Sequence, residues 1–317
     1  MSERDGAGVV VRAPGKINLA LSVGRRRPDG FHPLATVFQA LSVHEEVAVD
    51  HADELSLTVS GLHADRVPTD ATNLAWRAAL ALSAATGAEP GAHIHIHKGV
   101  PVAGGMAGGS ADAAATLLAL DQLWGTGVSR DELAEIAGTL GSDVPFALLG
   151  QTAVGRGRGD LLTPAMSRGE YHWALGLHDR GLSTPEVYGM FDEVVGGAPE
   201  EPEADRALMQ ALRTGDLDAV GAALVNDLQD AALELAPELA ETLAVAQDAG
   251  ALGVLVSGSG PTVAALARDR VQAEAVAAAM LAAGVADDVL TAVGPVAGAR
   301  VVRGSGVAHR RSGLTGD

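Results

Sequence analysis

Residues 101–110 read PVAGGMAGGS and run directly into an alanine- and leucine-rich segment, Ala111–Leu123. Glycines let the backbone curl closely around an anion, and the free N–H groups and dipole of a helix N-terminus favour phosphate. The stretch lacks the Gly-Lys-Ser/Thr ending of a Walker loop and the acidic ribose ligand of a dinucleotide fingerprint. The His-Arg-Asp and Asp-Phe-Gly motifs of protein kinases are also missing. Residues 101–110 therefore predict a phosphate-binding helix N-terminus of another kind.

The two lysines of the chain both lie beside glycine-rich turns. They are only two of its 22 basic residues, the rest being arginines. Lys16 lies in APGKIN, residues 13–18, and Lys98 ends a strand-like segment just before residue 101. An ammonium is a compact charge whose pKa can move, so arginine does not replace it at a tight site. We expect both lysines to act at the phosphate site.

The composition limits the class of protein. A chain of 317 residues with 47% hydrophobic residues is long enough for two domains with real cores. Because cysteine is absent, disulfides, thiolate metal sites and a cysteine nucleophile are ruled out. A net charge of −18 argues against nucleic-acid and anionic membrane partners. The polar N-terminus has no signal-peptide core, and the uncharged stretch 249–267 is interrupted by the turn sequence SGSGP, so we expect a cytoplasmic protein.

Hydrophobic patterning interleaves strands and helices, which predicts an α+β fold with a domain boundary near residue 160. We expect domains over residues 1–160 and 161–303 and a disordered tail over 304–317. In the first half the predicted elements are two strands joined by a Pro-Gly turn (9–23), a strand-like segment (31–49), helices (72–86, 111–123 and 129–141) and a flexible loop (155–160). In the second half they are strands (172–178, 251–256, 262–267 and 289–302) and helices (from 183, 204–214, 216–230, 237–249 and 269–283).

Asp143 is the carboxylate most suited to catalysis. Gly141 ends one helix, and Ser142 is expected to cap the next short helix, with Asp143 and Pro145 in its first turn. There the helix dipole stabilises the carboxylate anion. As a proton acceptor Asp143 suits phosphoryl transfer, and with Lys16 it forms a base and a nearby cation if the fold brings the two together. An ordinary first-turn aspartate is the alternative.

The histidines His93, His95 and His97 alternate with isoleucines, which places all three imidazoles on one face of a strand. Two such histidines are able to bind zinc, so a metal-dependent hydrolase is a rival hypothesis. No further acidic residue or histidine follows at a useful spacing. A solvated or packed strand face is the expected alternative.

Taken in order, Lys16–Leu19, Pro101–Ala114 and Val256–Thr262 resemble the three motifs of the GHMP kinases. Four more segments resemble one branch of that family, which acts on a cytidine diphosphate derivative of methylerythritol in the non-mevalonate isoprenoid pathway. These are Arg27–His32, Leu140–Phe146, Gly181–Tyr188 and Val225–Leu228. The likeness spans about residues 12–300. Met106-Ala107 stands where that motif usually has Leu-Gly, and Ala111 stands where a second Ser is common.

The resemblance implies a two-domain fold, with an N-terminal ribosomal-protein-like α/β domain, a C-terminal ferredoxin-like domain and the active site between them. It implies ATP-dependent phosphorylation of the 2-hydroxyl of the methylerythritol unit, with Mg²⁺ as cofactor. Asp143 would be the base, and Lys16 would stabilise the charge of the transferring phosphoryl group or orient Asp143. No single acidic side chain of the sequence stands out as a ligand for the metal. The implied nucleotide contacts are Asn73, Lys98, Pro101, Gly104, Gly105, Met106, Ala107, Gly108, Gly109 and Ser110. The implied substrate contacts are Asn18, Phe31, His32, Asp143, Thr184 and Tyr188.

Two further functions stay open beside the rival hydrolase. One is the same fold acting on another small alcohol, such as homoserine or mevalonate. The other is a nucleotide-binding regulatory protein without turnover. Aromatic residues make up only 3% of the chain, so a Phe and a Tyr within these motifs fit a stacking role toward a cytosine ring. The motifs imply no particular oligomeric state.

Overall fold

The computed structural model describes residues 8–194 and 197–303. Within them the strands are β1 (Val9–Val23), β2 (Leu34–His51), β3 (Ser56–Gly61), β4 (Ala92–Lys98), β5 (Thr152–Gly157), β6 (Leu161–Pro164), β7 (Tyr171–Leu177), β8 (Val225–Asn226), β9 (Gly253–Val256), β10 (Val263–Ala267), β11 (Asp288–Gly294) and β12 (Arg300–Arg303). The helices are α1 (Leu74–Thr86), α2 (Gly108–Trp124), α3 (Arg130–Leu140), α4 (Val144–Leu149), α5 (Thr184–Val194), α6 (Arg206–Thr214), α7 (Leu217–Ala222), α8 (Gln229–Leu235), α9 (Leu239–Asp248) and α10 (Arg270–Ala282).

The first sheet has the strand order β12-β1-β2-β4-β3, with β5 and β6 extending from β2 and β8 beside β1. Helices α1 to α4 cover one face of it and form an apolar core with the strands. Ile94 and Ile96 of β4 point into that core, and the intervening histidines lie on the opposite face, as the alternation predicts.

The expected turn at Pro14-Gly15 is wrong, because β1 runs unbroken from Val9 to Val23. The register against β2 shifts between Pro14 and Lys16 and again after Asn18. A β-bulge tolerates proline and re-aims the residues that follow it. The bulge therefore lies next to the two polar residues of this strand that face the site, Lys16 and Asn18.

The second sheet is antiparallel, with the order β11-β7-β10-β9, and packs against α9 and α10. Trp173 of β7 is fully buried and donates a hydrogen bond of 3.0 Å to Gln39 of β2, which ties the two sheets together. The predicted α+β class is confirmed. Because β6 and β12 pair in the first sheet, the chain returns to that sheet at its end, and we keep the division at residue 160 as a prediction.

Some predicted boundaries differ. Residues 155–157 are strand instead of loop, the predicted helix 216–230 is divided into α7, β8 and α8, and the predicted strand 289–302 is divided into β11 and β12. The polar side chains of Asn226 and Asp227 explain the second difference. The Asn226 amide donates to the carbonyls of Val256 and Gly258, and the Asp227 carboxylate accepts from the N–H of Val23. These contacts compete with a continuous helix.

Residues 249–267 form β9, a turn and β10. None of the described helices has the length and apolar character that a membrane crossing requires. The predicted disordered tail, 304–317, lies outside the described residues.

Candidate active site

One cavity of about 960 Å³ gathers almost all of the predicted site residues. It is lined by Lys16, Asn18, Phe31, His32, Asn73, Lys98, Pro101, Gly104, Gly105, Ala107, Gly108, Gly109, Ser110, Asp143, Thr184 and Tyr188. Met106 does not line it. Its side chain is fully buried in the apolar core, and its carbonyl accepts the N–H of Lys16 at 3.1 Å.

The Lys16 ammonium is held at the centre of the cavity. It donates to Oδ1 of Asn18 at 2.8 Å and to the carbonyl of Gly105 at 2.9 Å. Because an ammonium has three N–H donors, one remains for another acceptor. Burial lowers the pKa of Lys16 below its usual value, and the Asp143 carboxylate opposes that shift. Lys16 is therefore held in a fixed position and keeps one N–H group that can donate to a ligand.

Asn18 supports this lysine. Its amide nitrogen donates to the hydroxyl of Thr36 at 2.8 Å, which leaves its oxygen directed at Lys16. Thr36 in turn donates to the carbonyl of Ala20. One N–H and the oxygen of the Asn18 amide are thus engaged by the protein, so the geometry makes it a support for Lys16, and its contact with the substrate stays a prediction.

Asp143 stands at the N-terminus of α4, where it occupies the cap position itself. The expected cap by Ser142 is wrong, and the Asp143 side chain makes no capping hydrogen bond. Its carboxylate Oδ2 lies 3.8 Å from the Lys16 nitrogen, and 29% of its side chain is exposed to the cavity. The carboxylate is therefore free to accept a proton from a bound hydroxyl group.

The two glycine-rich motifs meet at Gly105. Its carbonyl accepts from Lys16 and from the Ser257 hydroxyl, and a side chain at Gly105 would collide with the Ser257 carbonyl oxygen. Gly258 lies over the lysine, where an added Cβ would stand 3.3 Å from the Lys16 nitrogen. A hydrogen bond of 2.9 Å between Thr184 and Ser259 joins the same turn to α5. Glycine in both motifs is required by this close approach.

The helix predicted to follow the glycine run is present as α2, and phosphate binding at its N-terminus stays a prediction. Ala107 precedes it with φ 59° and ψ 34°, a left-handed conformation that glycine adopts without strain. The N–H groups of Gly108, Gly109 and Ser110 have no partner within the helix, and all three residues line the cavity. Asn73, in contrast, caps α1 by accepting from the N–H of Ala75 at 2.8 Å.

Lys98 differs most from expectation. Its ammonium lies 2.6 Å from Glu45 and 2.5 Å from Asp112, and all three side chains are almost completely buried. Burial favours a lower pKa for Lys98, but the two carboxylates outweigh it and raise the pKa. Burial, reinforced by Asp112, raises the pKa of Glu45 to about 8. Lys98 is therefore held in a buried ion triad, and its contact with the nucleotide stays a prediction.

This triad lies next to the N-terminus of α2. A Cβ at Gly108 would stand 2.8 Å from Oε1 of Glu45 and 3.4 Å from the Lys98 nitrogen. Sequence reasoning missed Glu45 and Asp112. The available signal was Asp112 itself, which lies in an otherwise apolar stretch of α2. Charged side chains are rarely buried unless they are paired, so an aspartate at this place predicts a buried cationic partner.

The far end of the cavity holds the predicted aromatic residues. The ring centroids of His32 and Tyr188 are 5.2 Å apart, and the Phe31 side chain is 55% exposed, with the Arg158 guanidinium 5.7 Å from its ring centroid. Burial, with Asp143 nearby, raises the pKa of the Tyr188 hydroxyl, which therefore stays neutral. A flat, partly apolar surface of this kind suits a nucleobase.

The three histidines of β4 form a ladder with β3. Hydrogen bonds of 2.9 to 3.1 Å link Ser56, Thr58 and Ser60 alternately with His93, His95 and His97. Within residues 8–194 and 197–303, no group of three or more His, Asp or Glu side chains is arranged to hold a metal ion. The ladder favours a hydrogen-bonded strand face over the rival hydrolase site.

Comparison with known proteins agrees with this geometry. Residues 73–151 match the GHMP kinase N-terminal domain and residues 208–286 match the GHMP kinase C-terminal domain. A crystal structure of 4-(cytidine 5'-diphospho)-2C-methyl-D-erythritol kinase has a TM-score of 0.72 at 34% identity and covers 90% of this chain and 98% of its own. A homoserine kinase structure from Cytophaga hutchinsonii, at 22% identity and a TM-score of 0.71, covers 95% and 99% and shares the fold. The fold and the site thus define a small-molecule kinase of the GHMP class.

Curated relatives narrow the class. The 4-diphosphocytidyl-2-C-methyl-D-erythritol kinase of Streptomyces coelicolor is 54% identical over 93% of this chain and 99% of its own length. The enzyme of the same name from Cutibacterium acnes is 52% identical over 93% and 97%. The chain therefore belongs to the 4-diphosphocytidyl-2-C-methyl-D-erythritol kinase family within the GHMP kinases. It is a phosphotransferase with an alcohol acceptor, and ATP is the phosphate donor that this class uses.

Proposed function

We propose that the cavity binds ATP and 4-diphosphocytidyl-2-C-methyl-D-erythritol side by side and transfers the terminal phosphoryl group to the 2-hydroxyl, with Asp143 as base and Lys16 as charge stabiliser. The observation that carries this proposal is the pairing of Lys16 with Asp143 at 3.8 Å beside the N-terminus of α2. At this distance the two groups do not form a short hydrogen bond with each other, so each can still contact a bound ligand.

The phosphates of ATP are held by main-chain groups. The helix N-terminus supplies free N–H donors from Gly108 to Ser110, and the helix dipole favours the negative charge. The chain carries a net charge of −18, so its surface repels the negatively charged triphosphate. The positive end of the α2 dipole and the Lys16 ammonium have to offset this repulsion. The Ser110 hydroxyl is a further donor within the cavity.

Asp143 accepts the proton of the attacking hydroxyl. As the new bond between that oxygen and phosphorus forms, the O–H proton passes to the carboxylate, and the bond from phosphorus to the leaving oxygen of ADP breaks. Lys16 directs its third N–H at the charge on the transferring phosphoryl oxygens, which is where electrostatic stabilisation is most effective. Asn18 and the Gly105 carbonyl keep its nitrogen in place.

Magnesium is the expected cofactor, but the described side chains do not fit a metal held by the protein. Asp112 and Glu45 are both engaged by the buried Lys98 ammonium, and no cluster of three ligands is present in the described part of the chain. Mg²⁺ often binds mainly through substrate phosphates and water. We keep magnesium as a proposal in that form and derive no step through it.

The cytidine end of the substrate occupies the far end of the cavity. Phe31 and Tyr188 offer ring faces for the base, and His32 offers a polar atom to its edge. Thr184 also lines the cavity and is hydrogen-bonded to Ser259. The domain division at residue 160, a cytoplasmic location and the absence of nucleic-acid and membrane partners remain proposals, supported by the acidic charge and the lack of cysteine.

A substrate panel tests this function. We expect ADP release that depends on 4-diphosphocytidyl-2-C-methyl-D-erythritol and is absent with homoserine or mevalonate. Turnover of homoserine or mevalonate at a comparable rate would favour the other GHMP reactions. ATP binding without turnover of any alcohol would favour a regulatory protein instead.

A further inference from the structure

The segment Val225–Leu228 is the one motif of the sequence to which the proposed reaction gives no role. Its strand, β8, pairs in parallel with the end of β1, where Asn226 lies opposite Leu21. The Asn226 side chain is only 8% exposed and does not line the cavity. A buried amide has to be hydrogen-bonded, so its partners show what this segment holds in place.

Asn226 is fixed by three hydrogen bonds. Its amide nitrogen donates to the carbonyl of Val256 at 2.8 Å and to that of Gly258 at 2.7 Å. Its oxygen accepts from the N–H of Leu228 at 2.9 Å. The orientation of the amide follows from these partners, because a carbonyl only accepts and a main-chain N–H only donates. Asn226 therefore links the end of β1 to the glycine-rich turn at residues 257–260.

That turn contacts the Lys16 ammonium in two ways. Gly258 lies over it with φ 57°, and a Cβ there would stand 3.3 Å from the lysine nitrogen. The Ser257 hydroxyl donates at 3.2 Å to the carbonyl of Gly105, which is also an acceptor for Lys16. The position of the turn thus limits where the ammonium can lie.

The turn has few hydrogen bonds of its own. The Ser257 N–H donates to the Thr262 carbonyl, and the Gly260 N–H donates to the Ser257 carbonyl, each at 2.8 Å. Glycine adopts left-handed and right-handed conformations about equally well, so a turn containing two glycines has several conformations open to it. The bond from Asn226 to the carbonyl of Gly258 favours one of them.

We propose that Asn226 is a positioning residue for phosphoryl transfer, which fixes the turn 257–260 and through it keeps the Lys16 ammonium in place beside Asp143. This inference rests on the proposed function, because it explains how the charge stabiliser of that reaction is held. Asn226 acts only through the turn, since it does not line the cavity. A displacement of about 1 Å at a reacting centre can cost about 100-fold in rate, so a contact outside the cavity can control turnover.

Asp227 provides a matched control on the same segment. Its carboxylate accepts from the N–H of Val23 at 2.8 Å, and its own N–H donates to the carbonyl of Leu21 at 2.9 Å. Both contacts lead to β1, and in the described residues no hydrogen bond joins Asp227 to the turn. Asp227→Ala therefore loosens the segment and leaves the bonds from Asn226 to the turn intact.

The first experiment measures the single-turnover rate of phosphoryl transfer in Asn226→Ala and Asp227→Ala. We expect Asn226→Ala to lower this rate about tenfold or more and Asp227→Ala to keep it within about twofold. Both are then combined with Lys16→Met, which removes the ammonium. The effect of Asn226→Ala should shrink to about twofold or less in that background, because no ammonium is left to position. An equal loss in both backgrounds would show a structural role independent of Lys16 and overturn the inference.

The second experiment observes Lys16 without turnover. Because the chain has only two lysines, labelling lysine with ¹³C gives two side-chain signals in an NMR spectrum, and the one missing from Lys16→Met belongs to Lys16. This signal should shift in Asn226→Ala and stay in place in Asp227→Ala. The Lys98 signal should stay in both, since its ion triad does not involve the turn.

Asn226→Asp repeats both measurements in case Asn226→Ala does not fold. It keeps the shape of the side chain and the acceptor for Leu228, but its carboxylate has no hydrogen for the two carbonyls. An unchanged rate and an unshifted Lys16 signal in a folded Asn226 variant overturn this inference alone. If Lys16→Met itself transfers phosphate at the rate of the unsubstituted enzyme, the proposed role of Lys16 fails instead.

Discussion

The Lys16 nitrogen lies 3.8 Å from Oδ2 of Asp143, with two of its three hydrogens already donated to Asn18 and Gly105. The third hydrogen of the ammonium is available to a phosphoryl oxygen bound next to the Asp143 carboxylate. Lys16 can therefore lie beside Asp143 and still donate a hydrogen bond to the transferring group.

Lys16→Arg should lower kcat about 100-fold or more, because a planar guanidinium does not fit beneath Gly258 and between the two existing acceptors. Steady-state kinetics on the cytidine substrate measures the effect. Arg12→Lys is the control, since Arg12 lies on the same strand but pairs with Glu46 at the surface. Equal rates in Lys16→Arg and the unsubstituted enzyme would remove Lys16 from the mechanism.

The buried triad predicts that stability falls with rising pH. Glu45 ionises near 4.5 when unfolded, but burial and Asp112 raise its pKa to about 8 in the fold. Between these values the folded state holds a proton that the unfolded state releases, so the free energy of unfolding decreases as pH rises through that window. Asp112→Asn leaves one carboxylate for Lys98 and should flatten the slope.

Denaturant unfolding at pH 6 and pH 8.5 measures this slope. Between pH 6 and pH 8.5, the free energy of unfolding of Asp112→Asn should fall by about 1–2 kcal/mol less than that of the unsubstituted protein. Glu46→Gln, which removes a half-buried carboxylate outside the triad on the same strand as Glu45, should leave the slope unchanged. If the free energy of unfolding falls with pH equally in Asp112→Asn and in the unsubstituted protein, Asp112 does not raise the pKa of Glu45 as described here.

Ala107→Gly should stabilise the protein by about 0.5–1 kcal/mol, because Ala107 holds a left-handed conformation with φ 59°. Thermal and denaturant unfolding measure the change. Ala275→Gly, at an exposed position inside α10, should destabilise by about 1 kcal/mol and serves as the contrast. Destabilisation by both substitutions would show that position 107 is not strained.

Phe31→Ala should raise KM for the cytidine substrate by about 10-fold or more and leave kcat nearly unchanged, since loss of stacking on one base costs about 1–3 kcal/mol. Because the Phe31 side chain is 55% exposed, the melting temperature should change little. KM for ATP is the internal control. An equal rise in both KM values would indicate a general distortion of the cavity and not a lost stacking surface.

The sequence predicted what local chemistry determines. The glycine run into α2, the helix that begins near residue 129 and the alternation of β4 each depend on residues close in the chain, and each is present. Partners distant in the chain were missed. The ion triad is the main example, because Glu45, on β2, has no motif around it that would pair it with Lys98.

Caps and bulges were a second source of error. Ser142 and Asp143 are both good cap residues, and the chain places Asp143 at the cap position while leaving its carboxylate unbonded. Pro14-Gly15 reads as a turn, but pairing with β2 on both sides makes it a bulge. In both places long-range packing decided between two conformations of similar local preference.

The role of Asp143 is tested most directly by the single-turnover rate of phosphoryl transfer in Asp143→Asn. We predict a loss of about 100- to 10,000-fold in that rate, with the affinities for ATP and the cytidine substrate retained. A rate equal to that of the unsubstituted enzyme, with both ligands bound, would contradict the assignment of Asp143 as the base beside Lys16.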